Sequence, residues 1–187
     1  MNSDLLFLSN FLKKPKEVAA IAPSSKYVVS RVMEHIDFNK ANCIVEYGPG
    51  TGVITKAVLE SLNSYARIIC LESNQGFCEF LNKNINDPRL EVINDTAERL
   101  DYHMKRLNIS NIDYILSGIP FSLIKKENKK AIITKTEEAL RKHGRFIVYQ
   151  QYNLHLSKYL EGMFGHVKKK LEVRNIPPTA IFVCEKS

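Results

Sequence analysis

The chain has 187 residues, 44% of them apolar and 25% charged, with a net charge of +7 and a pI near 9.2. This balance suits one soluble domain large enough to bury a sheet with helices on both faces, and it excludes a disordered chain and a multi-span membrane protein. The positive excess favours a nucleic acid or an anionic membrane surface over a neutral metabolite as partner.

The amino terminus, Met1-Asn2-Ser3-Asp4 ahead of Leu5-Leu6-Phe7-Leu8, has an acid where a signal peptide carries basic residues, and no apolar stretch is long enough to span a bilayer. A cytoplasmic protein is expected. Residues 1–36 read as a helical segment, with helices over 4–14 and 24–36. Leu5, Leu6, Phe7, Leu8, Phe11 and Leu12 crowd the first of these, and Lys13, Lys14 and Lys16 follow. An interfacial helix has this pattern, and so does a helix that covers its own core.

Beyond this segment, short β-branched runs predict strands at 43–47, 68–72, 90–94 and 112–117, separated by helices at 53–62, 75–84 and 97–107. A long helix over 129–141, a strand at 144–150 and a helix over 154–162 come next, then strands at 167–174 and 179–184. The last two are joined by Asn175-Ile176-Pro177-Pro178, too short for a crossover helix, so they must run antiparallel. The alternation predicts a single α/β domain: a Rossmann-like, doubly wound seven-stranded sheet with an antiparallel last strand, plus N-terminal helices. Cys43, Cys70, Cys78 and Cys184 form no Cys-x-x-Cys pair, and the five histidines are dispersed, so buried reduced thiols and no metal are expected.

The first strand breaks into Glu46-Tyr47-Gly48-Pro49-Gly50-Thr51-Gly52 and then a helix, a turn in which the backbone can pass close to a ligand. The spacing differs from the dinucleotide fingerprint. An acid at the strand end would repel a pyrophosphate and attract a cationic amino acid, such as the one that terminates S-adenosylmethionine. Glu72 closes the next strand, about 20 residues past the turn, where a carboxylate reaches ribose hydroxyls. Asp95, after the third strand, either accepts the exocyclic amine of adenine or caps the following helix. The fourth strand runs into Ser117-Gly118-Ile119-Pro120-Phe121-Ser122, where amino-group methyltransferases keep an Asn/Asp-Pro-Pro-aromatic element.

These elements, with Phe11-Leu12-Lys13-Lys14-Pro15-Lys16 leading to Ala22-Pro23-Ser24-Ser25 and with Asn175-Ile176-Pro177-Pro178-Thr179-Ala180, resemble the bacterial and archaeal phospholipid N-methyltransferases. Such enzymes belong to the class I S-adenosylmethionine-dependent fold and methylate phosphatidylethanolamine. The chain departs from their pattern at Tyr47 and Asn94, and Ser117 stands where the wider amino-group methyltransferases keep an amide or acid. The resemblance implies that Glu46 with Gly48, Pro49, Gly50, Thr51 and Gly52 holds the methionine end, that Glu72 with Ser73 holds the ribose, and that Asp95, Thr96 and Ala97 hold the adenine. Ser25 and Ser117 complete that cofactor site. On the acceptor side it implies Ser117, Gly118, Ile119, Pro120 and Phe121, with Tyr27, Tyr149, Tyr152 and His155 as candidates for an aromatic wall or a proton relay. The expected partner is an anionic membrane surface, reached from the cytoplasmic side by a peripheral protein, and not a nucleic acid. A ribosomal RNA adenine N-methyltransferase shares the fold but normally adds a helical C-terminal RNA-binding domain, and a non-catalytic adenosyl-binding module is the further alternative.

Overall fold

The computed structural model describes residues 24–151 and 155–187. The helix expected over 4–14, its apolar stripe and Tyr152 lie outside the described residues. Helix α1 (Lys26–Met33) leads into β1 (Cys43–Tyr47), α2 (Val53–Ser61), β2 (Arg67–Glu72), α3 (Gln75–Asn84) and β3 (Leu90–Asn94). A 3₁₀ turn and α4 (Leu100–Arg106) precede β4 (Ile112–Ser117); a second 3₁₀ turn, Phe121–Leu123, precedes α5 (Lys126–Ala139). The chain then forms β5 (Leu140–Gln151), α6 (His155–Glu161), β6 (His166–Glu172) and β7 (Thr179–Glu185).

The seven strands lie in the order β3-β2-β1-β4-β5-β7-β6. The first five are mutually parallel, while β7 runs antiparallel to both β5 and β6. This is the Rossmann-like methyltransferase sheet expected from the sequence. Side chains alternate between two cores, because successive residues of a strand point to opposite faces. Val45, Ile69, Ile115, Phe146 and Phe182 pack on one face. Ile44, Ile68, Leu116, Ile147 and Ile181 pack on the other with Val28 and Val32 of α1 and Val58 of α2. All four cysteines are buried and free.

Several boundaries differ from the sequence pattern, among them the ends of α1 and the start of α5, and two differ for local reasons. The segment expected as one helix over 97–107 starts with a 3₁₀ turn at Ala97–Arg99, and its N-cap Thr96 gives no side-chain cap. Strand β5 begins at Leu140, which pairs with Ile112 before a register shift; His143 takes a positive φ of 59° within that irregularity, and regular pairing resumes at Tyr114 with Arg145. Polar Arg141, Lys142 and His143 gave the pattern no strand signal there. Asp113 ties the same region together, accepting from the Asn42 and Cys43 amides and from the Arg141 guanidinium.

Candidate functional site

The strand order reverses between β1 and β4, and ligands of open α/β sheets bind outside the carboxyl ends of the strands at such a switch point. A cleft of about 570 Å³ lies there. Residues 48–51 line it, as do residues 72–74 after β2, 95–98 after β3, 118–120 after β4 and 149–151 at the end of β5. Asn175, Pro177 and Thr179 close it from the β6–β7 connection.

The glycine turn is built from three left-handed residues, Gly48 (φ 63°), Gly50 (φ 56°) and Gly52 (φ 76°). Two of them answer to packing. A Cβ on Gly48 would stand 2.7 Å from Ile119 Cγ2, and one on Gly52 would stand 2.5 Å from Leu81 Cδ2. Gly50 is different, since a Cβ there meets nothing within 4 Å among the described residues. Its bare backbone faces the cleft, and its amide donates to Glu72 Oε2 at 3.2 Å.

Glu72 is thereby fixed between two loops, because its Oε1 also accepts from the Asn74 amide at 2.9 Å. Burial pushes its carboxyl above the ordinary value, against the backbone N–H groups of Asn74, Gly50 and Ser73. Each oxygen has a second lone pair to offer, so this carboxylate can accept from a pair of ligand hydroxyls. Asn74 caps α3 with its own Oδ1, which accepts from the Phe77 amide at 3.2 Å.

Asp95 Oδ1 accepts from the Thr96 amide at 2.8 Å, and its Oδ2 meets His103 Nε2 at 2.8 Å and Arg99 Nε at 3.4 Å. Partial burial opposes ionisation of Asp95, but Thr96, His103 and Arg99 together outweigh it and hold the carboxyl below its ordinary value. Asp95 therefore lines the cleft as an anion held in place by α4. His103 carries no signal in the one-dimensional pattern, since it sits eight residues away and reaches Asp95 only once α4 has formed.

Glu46 does not line the cleft. It is fully buried beneath it, with Oε2 accepting from Thr55 Oγ1 at 2.6 Å and Oε1 from the Tyr149 hydroxyl at 2.8 Å. Complete burial pushes its carboxyl up to about 7 despite bonds from Thr55, Tyr149 and the Cys70 thiol, and Glu72 adds to the rise. Tyr149 itself lines the cleft. Its ring and hydroxyl lie against Gly118, where a Cβ would stand 3.0 Å from Cε2 and 3.1 Å from the oxygen.

The loop after β4 divides by residue. Gly118, Ile119 and Pro120 line the cleft, whereas Ser117 and Phe121 are completely buried. The Phe121 ring turns into the core and packs edge-on against Phe146 at 6.4 Å, so the aromatic that reaches the cleft from this neighbourhood is Tyr149. Phe121 contributes its amide, which donates to Gln150 Oε1 at 3.1 Å. Gln150 Nε2 is buried without a partner among the described residues, as are the hydroxyl oxygens of Ser117 and Ser25. Gln150 escaped sequence reasoning because a glutamine at a strand end carries no motif.

Ser25 stands beside the cleft, its amide donating to Asn175 Oδ1 at 3.2 Å. Asn175 Nδ2 donates to Pro177 O and Thr179 Oγ1, both at 2.9 Å. This side-chain bridge joins the start of α1 to the β6–β7 connection. Tyr27 lies outside the cleft lining, with the Arg174 guanidinium 4.2 Å from its ring centroid. His155 opens α6.

A family model described as ribosomal RNA adenine dimethylase matches residues 9–133. The chain belongs to this family. S-adenosylmethionine is the cofactor of this dimethylase-family protein, and its reaction class is N-methyl transfer. The chain is 26% identical over 185 residues to an ornithine lipid N-methyltransferase of Singulisphaera acidiphila, covering 98% of this chain and 96% of the relative. It is 32% identical over 98 residues to ribosomal RNA small subunit methyltransferase A of Mycoplasma capricolum, where the match covers 50% of this chain and 35% of the relative. Among solved structures, precorrin-6y C5,15-methyltransferase from Geobacter metallireducens superposes with a TM-score of 0.67 at 16% identity, covering 89% of this chain and 94% of that one. A T. thermophilus 16S rRNA methyltransferase in complex with AdoMet and guanosine gives 0.66 at 17% identity, covering 89% and 44%. At these identities the structural likeness concerns the fold. No helix among the described residues is long and apolar enough to cross a membrane.

Proposed function

We propose that this protein transfers methyl groups from S-adenosylmethionine to the primary amine of phosphatidylethanolamine, or its partly methylated forms, at a membrane surface. The observation that carries this reading is the match to the ornithine lipid N-methyltransferase, which runs along nearly the whole of both chains. Both acceptors offer an amine held at the bilayer interface.

The cleft fits the cofactor on three grounds. Gly50 presents bare backbone to it, Glu72 offers free lone pairs beside that backbone, and Gln150 Nε2 needs an acceptor. In this reading Glu72 takes the ribose hydroxyls and Asp95 with Thr96 takes the adenine amine. The backbone at residues 48–51 lies along the methionine end, and Glu46 acts from below by fixing Tyr149 and the helix that follows the turn. The cofactor supplies a methyl group on a cationic sulfur, open to direct displacement. The acceptor nitrogen must therefore arrive neutral, in line and within about 3–3.5 Å, so the chain's work is chiefly positioning. Gly118, Ile119, Pro120 and Tyr149 form the acceptor side, and Tyr149 offers a ring face to a methylated ammonium.

Methylation of ribosomal RNA adenine is the second reading, favoured by the family description and by the Mycoplasma relative. Purified protein with radiolabelled cofactor decides between them when given phosphatidylethanolamine vesicles, ornithine lipid vesicles and ribosomal RNA in separate reactions. Label in phosphatidylethanolamine is the expected result. Label only in ornithine lipid would keep the lipid reading and change its headgroup; label only in RNA would replace it.

A further inference from the structure

The mouth of the cleft carries the most exposed large apolar side chain among the described residues, Ile176, at 90% exposure. Val173 (65%) precedes it on the same β6–β7 connection, and Leu123 (67%) stands on the turn after β4. Single exposed apolar residues are ordinary on a soluble protein. These three are grouped by the fold. Leu123 lines the cleft, and Ile176 sits between two lining residues, Asn175 and Pro177, so both segments belong to the rim of one opening.

The charge around that rim is mostly positive. Lys125 and Lys126 follow Leu123, Lys170 lies on β6 three residues before Val173, and Lys26 is at the start of α1; all are exposed. The acids nearby are fewer. Glu172 is held by Arg174 at 2.7 Å and by Arg31 at 3.4 Å; of the cleft acids, Asp95 is held by Arg99 and His103 and Glu72 by the Gly50 and Asn74 amides, which leaves Glu127 on α5 and Glu98 in the cleft. Apolar tips ringed by lysines suit a surface with an anionic plane and a hydrocarbon layer beneath it. Phosphates of RNA would pair with the lysines but would leave the apolar tips in water.

We propose that the β6–β7 connection, through Val173 and Ile176, together with Leu123 dips into an anionic lipid bilayer and sets the cleft mouth against the headgroups. This rests on the lipid reading above and assigns it a docking surface distinct from the amino-terminal stripe. The connection is held to α1 by the Asn175 bridge and by Arg174 over Tyr27, so docking there would place Ser25 and the cleft edge at the interface together.

The protein has no tryptophan, so Ile176→Trp introduces a single reporter. Its emission should shift to the blue on adding vesicles of phosphatidylethanolamine with phosphatidylglycerol, and brominated acyl chains should quench it. Ile176→Glu should lower vesicle affinity about tenfold, as expected for withdrawing one large apolar side chain from the bilayer, while calorimetric affinity for S-adenosylmethionine stays unchanged. Indole emission that stays unmoved in an Ile176→Trp protein that still binds vesicles and methylates lipid would overturn the docking surface and leave the lipid reading intact. A spectrum already blue-shifted without vesicles would overturn it too, by showing that the chain or a second copy covers the tip. Loss of all lipid methylation by the unmodified protein, with RNA labelled instead, would remove the lipid reading itself.

Discussion

The Tyr149 hydroxyl donates to Glu46 Oε1 at 2.8 Å, joining β5 to β1 across the intervening β4. Glu46 is in register with Leu116, and Leu116 with Ile147, so the bond spans two residues along the strands. It binds a fully buried carboxyl to a ring on the cleft wall. Whatever disturbs Glu46 is therefore felt at the cleft wall through Tyr149 and, through Thr55, at the helix that follows the glycine turn.

Glu46 makes stability fall as pH rises. Its carboxyl titrates near 7 in the fold and at 4.5 ordinarily, so between those values the native state holds a proton that the unfolded chain has released. The stability difference is absent below 4.5, grows through the window and is complete above 7, where it amounts to about 3 kcal/mol. Urea midpoints measured from pH 4.5 to 8 should show this decline, and Glu46→Gln should flatten it. An equally steep slope in Glu46→Gln would place the titration on another group.

Tyr149→Phe keeps the ring and removes the donor. The loss should be about 1.5–3 kcal/mol where Glu46 is ionised, since the bond is made to a charged group. Because that bond favours the charged carboxyl, destabilisation should be larger at pH 8 than at pH 5. In the Glu46→Gln background the same substitution should matter less. Identical losses at both pH values would mean that Tyr149 acts by packing alone.

The three turn glycines should separate by consequence. Gly52→Ala drives a methyl into Leu81 and Ile85 and should lower the unfolding midpoint with it. Gly50→Ala should fold, with a left-handed backbone penalty of about 1–2 kcal/mol, and should still lose S-adenosylmethionine affinity by about tenfold or more because its methyl enters the ligand's space. Calorimetry on the folded variants reads this directly. Unchanged affinity in Gly50→Ala would take the turn out of the binding surface.

The strand ends were legible in the sequence because each carries two signals at once, a β-branched run and a polar or glycine break after it. Those two signals alone place Gly50, Glu72 and Asp95 at one edge of the sheet. What the sequence could not convey was which way a residue at such an edge turns. Glu46 and Tyr47 are neighbours in β1, yet Tyr47 packs with Phe146 on one face while Glu46 meets Thr55 and Tyr149 on the other. The family resemblance implies an acceptor aromatic at Phe121, but the 3₁₀ turn rotates its ring into the core and leaves Tyr149, 28 positions later, beside the cleft. Partners brought together only by topology, such as Ser25 with Asn175, have no local pattern to read.

Glu72 provides the sharpest test of how the cofactor is held. As Gln, the side chain keeps one acceptor oxygen and turns an NH₂ toward either the Gly50 or the Asn74 amide, so one of the two bonds that position it is lost. A ligand hydroxyl pair would likewise find one acceptor where there were two. Losing a hydrogen bond to a charged group weakens binding by about 1.5–3 kcal/mol, or roughly 10–100-fold. Because the ribose is common to both molecules, S-adenosylmethionine and S-adenosylhomocysteine should weaken by the same factor in Glu72→Gln. A carboxylate acting instead through its charge on the sulfonium would weaken only the methylated form, since the product has a neutral sulfur. Calorimetric titration of both ligands into the folded variant distinguishes these cases, and a loss confined to S-adenosylmethionine would move Glu72 from the ribose to the sulfur.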